Sequence, residues 1–317
     1  MSETTLGAAV PVAGARRWPQ WIGHLAGALL GLVLLYSAWG KALDPHGTAE
    51  LYVRKGLLPA GLGTLVIVGA VALEAGLGAA LLAFLRRPVV LAAATALMCA
   101  FFGLTVYEYL YPAKDASSCG CFGNLVVRTP KQAVIGDGVF LLLAFLAWIG
   151  RPKSAGRARW ALAAAAFVAA GLFALAAPKL PVDDLATLIK PGAKVREARI
   201  DELLPELQRG LSFVLLLDRA DADTRAQVPR LNSVLAPDQN QNVKVLALAE
   251  ENEQLKGEFQ WGAGPAFEVR DAPFSTLKPL YRTLPRCFLV KDGVVQKVWN
   301  GIPDDTTLGA IAAGRIP

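Results

Sequence analysis

The chain has 317 residues, of which 54% are hydrophobic and only 18% charged, and its mean hydropathy is +0.41. That is too apolar for a soluble protein of this length and indicates a membrane protein. The net charge of +6 is uneven: residues 1–177 hold 14 basic and 7 acidic side chains, residues 178–317 hold 18 and 19. A positive excess beside apolar runs, with no basic-aromatic stripe in the polar part, argues against nucleic-acid binding.

Five apolar runs approach the length needed to cross about 30 Å of hydrocarbon: Trp21 to Trp39, about Pro59 to Leu85, Pro88 to Leu110, Ala133 to Gly150 and Trp160 to Ala177. Trp and Tyr residues at several of their ends suit the membrane interface. Arg16, Arg17, Arg86, Arg87, Arg151, Lys153, Arg157 and Arg159 lie in alternate connections, opposed only by Glu3. The positive-inside rule places these connections in the cytoplasm, so the expected topology is N-terminus cytoplasmic and C-terminal region outside. The first run is longer than a signal peptide's apolar core and reads as an uncleaved anchor.

Between the third and fourth runs lies SSCGCFGN, Ser117 to Asn124, with two of the four cysteines one residue apart. On the expected topology it faces the compartment where disulfides persist. Cys119 and Cys121 suit exchange between dithiol and disulfide, and Gly120 supplies the backbone freedom that so short a ring demands. The alternatives are a pair of structural thiols or a soft-metal pair, the latter short of ligands because neither histidine is suitably spaced. Strain in a Cys-x-Cys ring suits a disulfide donor better than a permanent staple. Glu74 and Asp137 are ionisable groups inside apolar runs, which are costly in lipid and therefore functional candidates. Lys41 is expected to snorkel to the interface or pair with Asp44. Cys99, in mid-span, reads as a core thiol.

From Pro178 the pattern changes. A Pro/Lys-rich link, residues 178–192, precedes alternating apolar and polar segments: a buried strand at Leu211 to Asp218, a helix interrupted by Pro229, a strand in NVKVLALA, and a hairpin in CFLVKDGVVQKVW turning at Asp292-Gly293. This order predicts an α/β domain over residues 193–317. The expected organisation is a cytoplasmic segment 1–20, a membrane domain 21–150, a basic loop 151–159, a fifth transmembrane helix 160–177, the link and the α/β domain.

SAWGKALDP (Ser37 to Pro45), Glu74 in the second run and CGCFG (Cys119 to Gly123) together resemble the MauE/DoxX-like family of four-helix, redox-associated membrane proteins. Members are implicated in maturing disulfide-rich periplasmic partners such as the methylamine dehydrogenase small subunit, so the resemblance implies thiol-disulfide chemistry on a periplasmic protein client. The polar half resembles a TlpA-type thioredoxin-like domain. TLPRCFLVKDG (Thr283 to Gly293) matches the loop in which that family has a cis-proline, which makes Pro285 the candidate and places Cys287 just after it. Five residues before the helix proline, Asp221-Ala222-Asp223-Thr224 stands where the family has Cys-x-x-Cys, so the degenerate site at Asp221 and Thr224 implies docking rather than oxidation. Cys287 is either a packed core residue or a partner for Cys119 or Cys121.

Two functions follow: a thiol-disulfide oxidoreductase acting through Cys119 and Cys121, or a non-catalytic accessory or assembly subunit of a larger membrane complex. No quinone or nucleotide motif is recognisable, and neither a cofactor nor a metal is expected. The expected partners are a periplasmic client or complex subunits and the lipid bilayer.

Overall fold

The computed structural model describes residues 18–111, 122–123, 126, 128–149, 156–235 and 242–317. The N-terminal part is a helical bundle: α1 (Trp18–Leu43), the short α2 (Pro45–Arg54), α3 (Gly63–Leu82), α4 (Pro88–Leu110), α5 (Pro130–Leu146) and α6 (Arg157–Ala176). Among the described residues, four helical segments are long and apolar enough to cross a membrane, Gln20–Leu43, Gly63–Leu82, Pro88–Leu110 and Arg157–Lys179. Their exposed faces carry Leu29, Leu32, Leu65, Val89, Leu162 and Leu172, the pattern expected where lipid replaces water as the outer solvent.

The expected fourth run, Ala133 to Gly150, folds differently. Its helix α5 starts earlier, at a Thr129/Gln132 capping box with Pro130 in the first turn, and ends at Leu146, 17 residues in all. At 1.5 Å per residue it measures about 26 Å, short of the ~30 Å hydrocarbon core. The carbonyls just past its C-terminus are satisfied, because buried Arg86 donates to those of Ala147 and Ile149, the latter at 2.6 Å. Arg157 and Arg159, expected in a loop, lie within α6.

Helix α3 packs between α1 and α6, and α5 between α1 and α4. The α1–α3 approach is close: a Cβ on Gly31 would lie 2.8 Å from the Gly78 carbonyl oxygen, and one on Gly78 equally near that of Gly31. In lipid there is little hydrophobic drive between helices, so such small-residue contacts carry the packing. Cys99 departs from its expected place in the core and lies exposed on the outer face of α4. Helical phase decides this: its neighbour Met98 takes the buried position.

The helices alternate in direction. At one end Arg86 meets the end of α5 and His24 of α1, while Arg159 donates to the Phe84 carbonyl at 3.1 Å. At the other end Lys55 pairs with Glu108 at 2.8 Å, and Gly123 packs on the Gly40 carbonyl.

That second end carries the C-terminal α/β domain. Its elements are α7 (Asp183–Ala186), β1 (Leu211–Leu217), α8 (Ala222–Leu235), β2 (Lys244–Glu250), α9 (Glu253–Ala263), β3 (Glu268–Ala272), α10 (Phe274–Leu277), β4 (Arg286–Lys291), β5 (Val294–Asn300) and α11 (Asp305–Ala312). The sheet order is β3-β2-β1-β4-β5, with β1, β2 and β3 parallel and β4 and β5 antiparallel. Strand β1 is central and its residues Ser212 to Leu217 are buried, so it reads as a continuous apolar run. The hairpin turns at Asp292 and Gly293 with φ of 49° and 78°, the two left-handed residues that such a turn requires. Helix α8 continues through Pro229 without a break.

The expected link at residues 178–192 is folded. Ile189 is fully buried in the sheet's core, and buried Arg286 donates to the Thr187 hydroxyl at 2.8 Å and the Ile189 carbonyl at 3.0 Å. Two apolar side chains, Leu188 and Ile189, among polar neighbours supply the burial that a Pro/Lys composition concealed.

Candidate functional site

The candidate cysteines Cys119 and Cys121, with Gly120, lie outside the described residues. The motif's last two residues are described. Gly123 has φ +61°, and a Cβ there would fall 2.5 Å from the Gly40 carbonyl oxygen, so only glycine fits this close approach to α1. Phe122 packs with Tyr36 and Phe140, ring centroids 5.8 and 6.0 Å away, and the Arg128 guanidinium lies 4.6 Å above its ring. Phe122 and Gly123 are therefore fixed to α1 and α5.

Directly beside this contact sits an ion pair. Lys41 Nζ donates to Glu74 Oε1 at 2.6 Å and to Ser37 Oγ at 2.8 Å, and stands 4.6 Å from the Phe101 ring centre. Lys41 is 2% exposed and Glu74 fully buried. This corrects the expected pairing of Lys41 with Asp44. Helix α1 runs on past Trp39 to Leu43, which turns Lys41 towards α3. Asp44 instead accepts from the Gly47 amide at 2.9 Å as the N-cap of α2. Glu74 Oε2 has no hydrogen-bond partner among the described residues. Asp137 pairs with Arg128 at 3.2 Å, and a cavity with room for about one water lies between Ser37, Asp137, Phe122 and Phe101. Opposite charges in neighbouring antiparallel runs were the available signal for Lys41–Glu74; Arg128 and Ser37 carried none.

The second constellation lies in the α/β domain. The Leu284–Pro285 peptide bond is cis. Asp221 caps α8, accepting from the Thr224 amide at 2.9 Å and hydroxyl at 2.7 Å, and these bonds hold its carboxyl below the usual range. Cys287 is fully buried on β4 among Phe213, Leu215 and Leu289, and burial pushes its thiol pKa up, so the group stays protonated and unreactive. Of its two expected roles, the structure places it as a packed core residue.

Asp221 and Pro285 line a cleft of about 740 Å³ that the α/β domain forms with α2 of the bundle. Contacts across it hold the two parts together. Lys278 pairs with Asp44 at 3.4 Å, Arg54 pairs with Glu250 and stacks 3.9 Å above Phe274, and Arg282 donates to the Ala177 and Leu180 carbonyls at the end of α6, at 2.6 and 3.1 Å. Nothing in the sequence links positions so far apart. Among the described residues no group of histidine, cysteine and carboxylate side chains could hold a metal ion.

These features define a multi-pass membrane protein whose helical bundle, with a buried ion pair near one end, is joined there to a mixed-sheet α/β domain. Residues 19–150, which take in nearly all of α1 to α5, match the family described as Methylamine utilisation protein MauE. No curated protein matches the chain.

Proposed function

We propose that the protein is a bacterial inner-membrane thiol-disulfide protein that acts on a periplasmic client through Cys119 and Cys121, with a redox-inactive thioredoxin-like domain for docking. The observation that carries this reading is the position of the CGCFG motif. It falls inside the MauE-matched region, and its exit is pinned at Gly123 above the Lys41–Glu74 pair, at the bundle end that bears the α/β domain. Five helices alternate, with α5 as a short fourth crossing. The Arg86, Arg87, Arg157 and Arg159 end then lies in the cytoplasm and the α/β domain in the periplasm.

The exchange step balances within the two proteins. A client thiolate attacks one sulfur of a Cys119–Cys121 disulfide, a mixed disulfide forms, and the other sulfur leaves as a thiolate. The client's second thiolate then attacks the mixed disulfide; the client gains a disulfide and the pair retains two electrons as a dithiol. The strand, helix, strand and terminal hairpin-helix order of the α/β domain, with cis-Pro285, supports a thioredoxin-like identity, while Asp221 and Thr224 supply no thiol.

The test is a non-reducing gel of Cys119→Ser, Cys121→Ser and the double variant in the native membrane. One single variant should accumulate a thiol-sensitive adduct that the double variant lacks, formed when its remaining thiolate attacks the oxidised client's disulfide in the reverse of the second step and one client sulfur leaves as a thiolate. If neither does at normal abundance, the accessory-subunit reading takes its place. That reading is favoured by the Asp221–Thr224 bond, which closes the helix start on itself.

A further inference from the structure

The cleft between α2 and the α/β domain is within the ~300–1,000 Å³ range of ligand sites. Four cationic side chains line it besides His46, and each is already committed to a carboxylate: Arg54 to Glu50 and Glu250, Arg219 to Asp271 at 2.6 Å, Lys278 to Asp44, and Arg282 to Asp183 at 3.6 Å. The anions are not balanced in the same way. Asp218, Asp221 and Asp223 line the wall leading from β1 into α8 and have no ion-pair partner among the described residues.

Asp218 and Asp223 are exposed. Asp218 accepts from the Ala220 amide, and Asp221 accepts from the Thr224 amide and hydroxyl, bonds that favour the ionised form of Asp221. Half-buried Leu284 also lines the cleft, backed by the buried Leu217, Leu277 and Tyr281, so an occupant meets an apolar side chain beside uncompensated negative charge.

We propose that this cleft binds a polypeptide segment carrying Lys or Arg side chains interspersed with apolar ones, the basic groups facing Asp218, Asp221 and Asp223. The proposal deepens the client-docking reading above and rests on it: it names the client feature that the domain holds. It also gives the lost Cys-x-x-Cys position a use, because Asp221, where the first thiol would otherwise stand, and Asp223, between the two cysteine positions, now supply charge there. Interface charges of this kind raise the encounter rate and set the register of the bound chain more than they add affinity.

The test uses the full chain in detergent micelles and two fluorescent peptides, one alternating Arg with Leu and one alternating Glu with Leu. The Arg peptide should bind and the Glu peptide should not, and binding should weaken as salt rises. Replacing the three aspartates together by asparagine preserves shape, and Asn caps helices as well as Asp does, so Asp218→Asn/Asp221→Asn/Asp223→Asn should fold. It should lose about tenfold in affinity for the Arg peptide, equivalent to roughly 1.4 kcal/mol, while Asp305→Asn on α11 should change nothing. Equal binding of both peptides, or full affinity in the triple variant, overturns the proposal. Competition by spermidine as effective as unlabelled peptide overturns it too, by assigning the cleft to a small polycation. Peptide binding without trapped client adducts removes the thiol-exchange reading and leaves the cleft, whereas adducts without peptide binding do the reverse.

Discussion

At the scale of single residues, the Lys41–Glu74 pair sets the largest local stake. Two charges held away from water are costly to bury, and their mutual attraction offsets that cost only while both are present. Glu74→Ala should therefore leave the Lys41 ammonium facing Ser37 and Phe101 alone, and destabilise the bundle by roughly 3–5 kcal/mol. Lys41→Met combined with Glu74→Leu should recover most of that loss, because the isosteric pair carries no charge to desolvate. Thermal unfolding in detergent checks both, and a double variant as unstable as the single would show that the carboxylate does more than neutralise Lys41. Cys287 makes the opposite point: the sequence left it as either a core residue or a partner for Cys119 or Cys121, and its burial makes it an ordinary apolar contact.

At the scale of elements, the edge of the sheet is tied down by one carboxylate. Glu206, in the turn before β1, receives Arg270 of β3 at 2.7 Å and Lys244 of β2 at 3.0 Å. Burial works to raise its pKa from 4.5, but these partners prevail and hold it at about 2. The folded pKa lies below the unfolded one, so the contribution is complete above about pH 4.5 and is lost as the pH falls through about 2. Glu206→Gln should lower stability at neutral pH by roughly 1.5–3 kcal/mol, the worth of hydrogen bonds to a charged group. It should also flatten the acid limb of the stability profile between those two values. Denaturant titrations of the full chain from pH 7 to 2 measure this, and an acid limb identical to that of the parent would place the responsible group elsewhere. Helix α5 shows how an element's ends are settled jointly: its start is local, through Thr129 and Gln132, while its finish depends on Arg86 from a distant loop.

At the scale of the whole molecule, the α/β domain is held against the bundle at α2. Lys278 is buried between the two parts, with Asp44 at 3.4 Å, the Arg282 carbonyl at 3.3 Å and the Tyr281 ring 4.8 Å away. Lys278→Glu places a carboxylate against Asp44 and should release the domain from α2. Amide hydrogen exchange over Pro45–Arg54 should then rise about tenfold or more, the effect of losing ~1.4 kcal/mol or more of docking. Lys297→Glu, on the far hairpin, should leave it unchanged. If α2 keeps its protection in Lys278→Glu, the docking does not depend on this pair and the cleft is held by Arg54 and Arg282.

The sequence by itself determined that the chain spans a membrane, where its apolar helices lie to within a few residues, and that a strand-helix-strand unit with a terminal hairpin follows. These are periodic or compositional properties, carried by neighbouring residues such as the buried run of β1 or the Asp292-Gly293 turn. It also singled out Glu74 and Asp137 as charges costly in lipid, and Lys41 as one that would snorkel to the interface or pair. Only the tertiary structure decided their partners: Glu74 rather than Asp44 for Lys41, Arg128 for Asp137, and Lys278 for Asp44. It alone folded residues 183–192 into the domain and turned Cys99 outwards and Cys287 inwards. The reason is physical: a charge specifies that it needs a partner but not which one. That choice is made by the direction in which a helix face points, and by which distant element packing brings within a few ångströms of it.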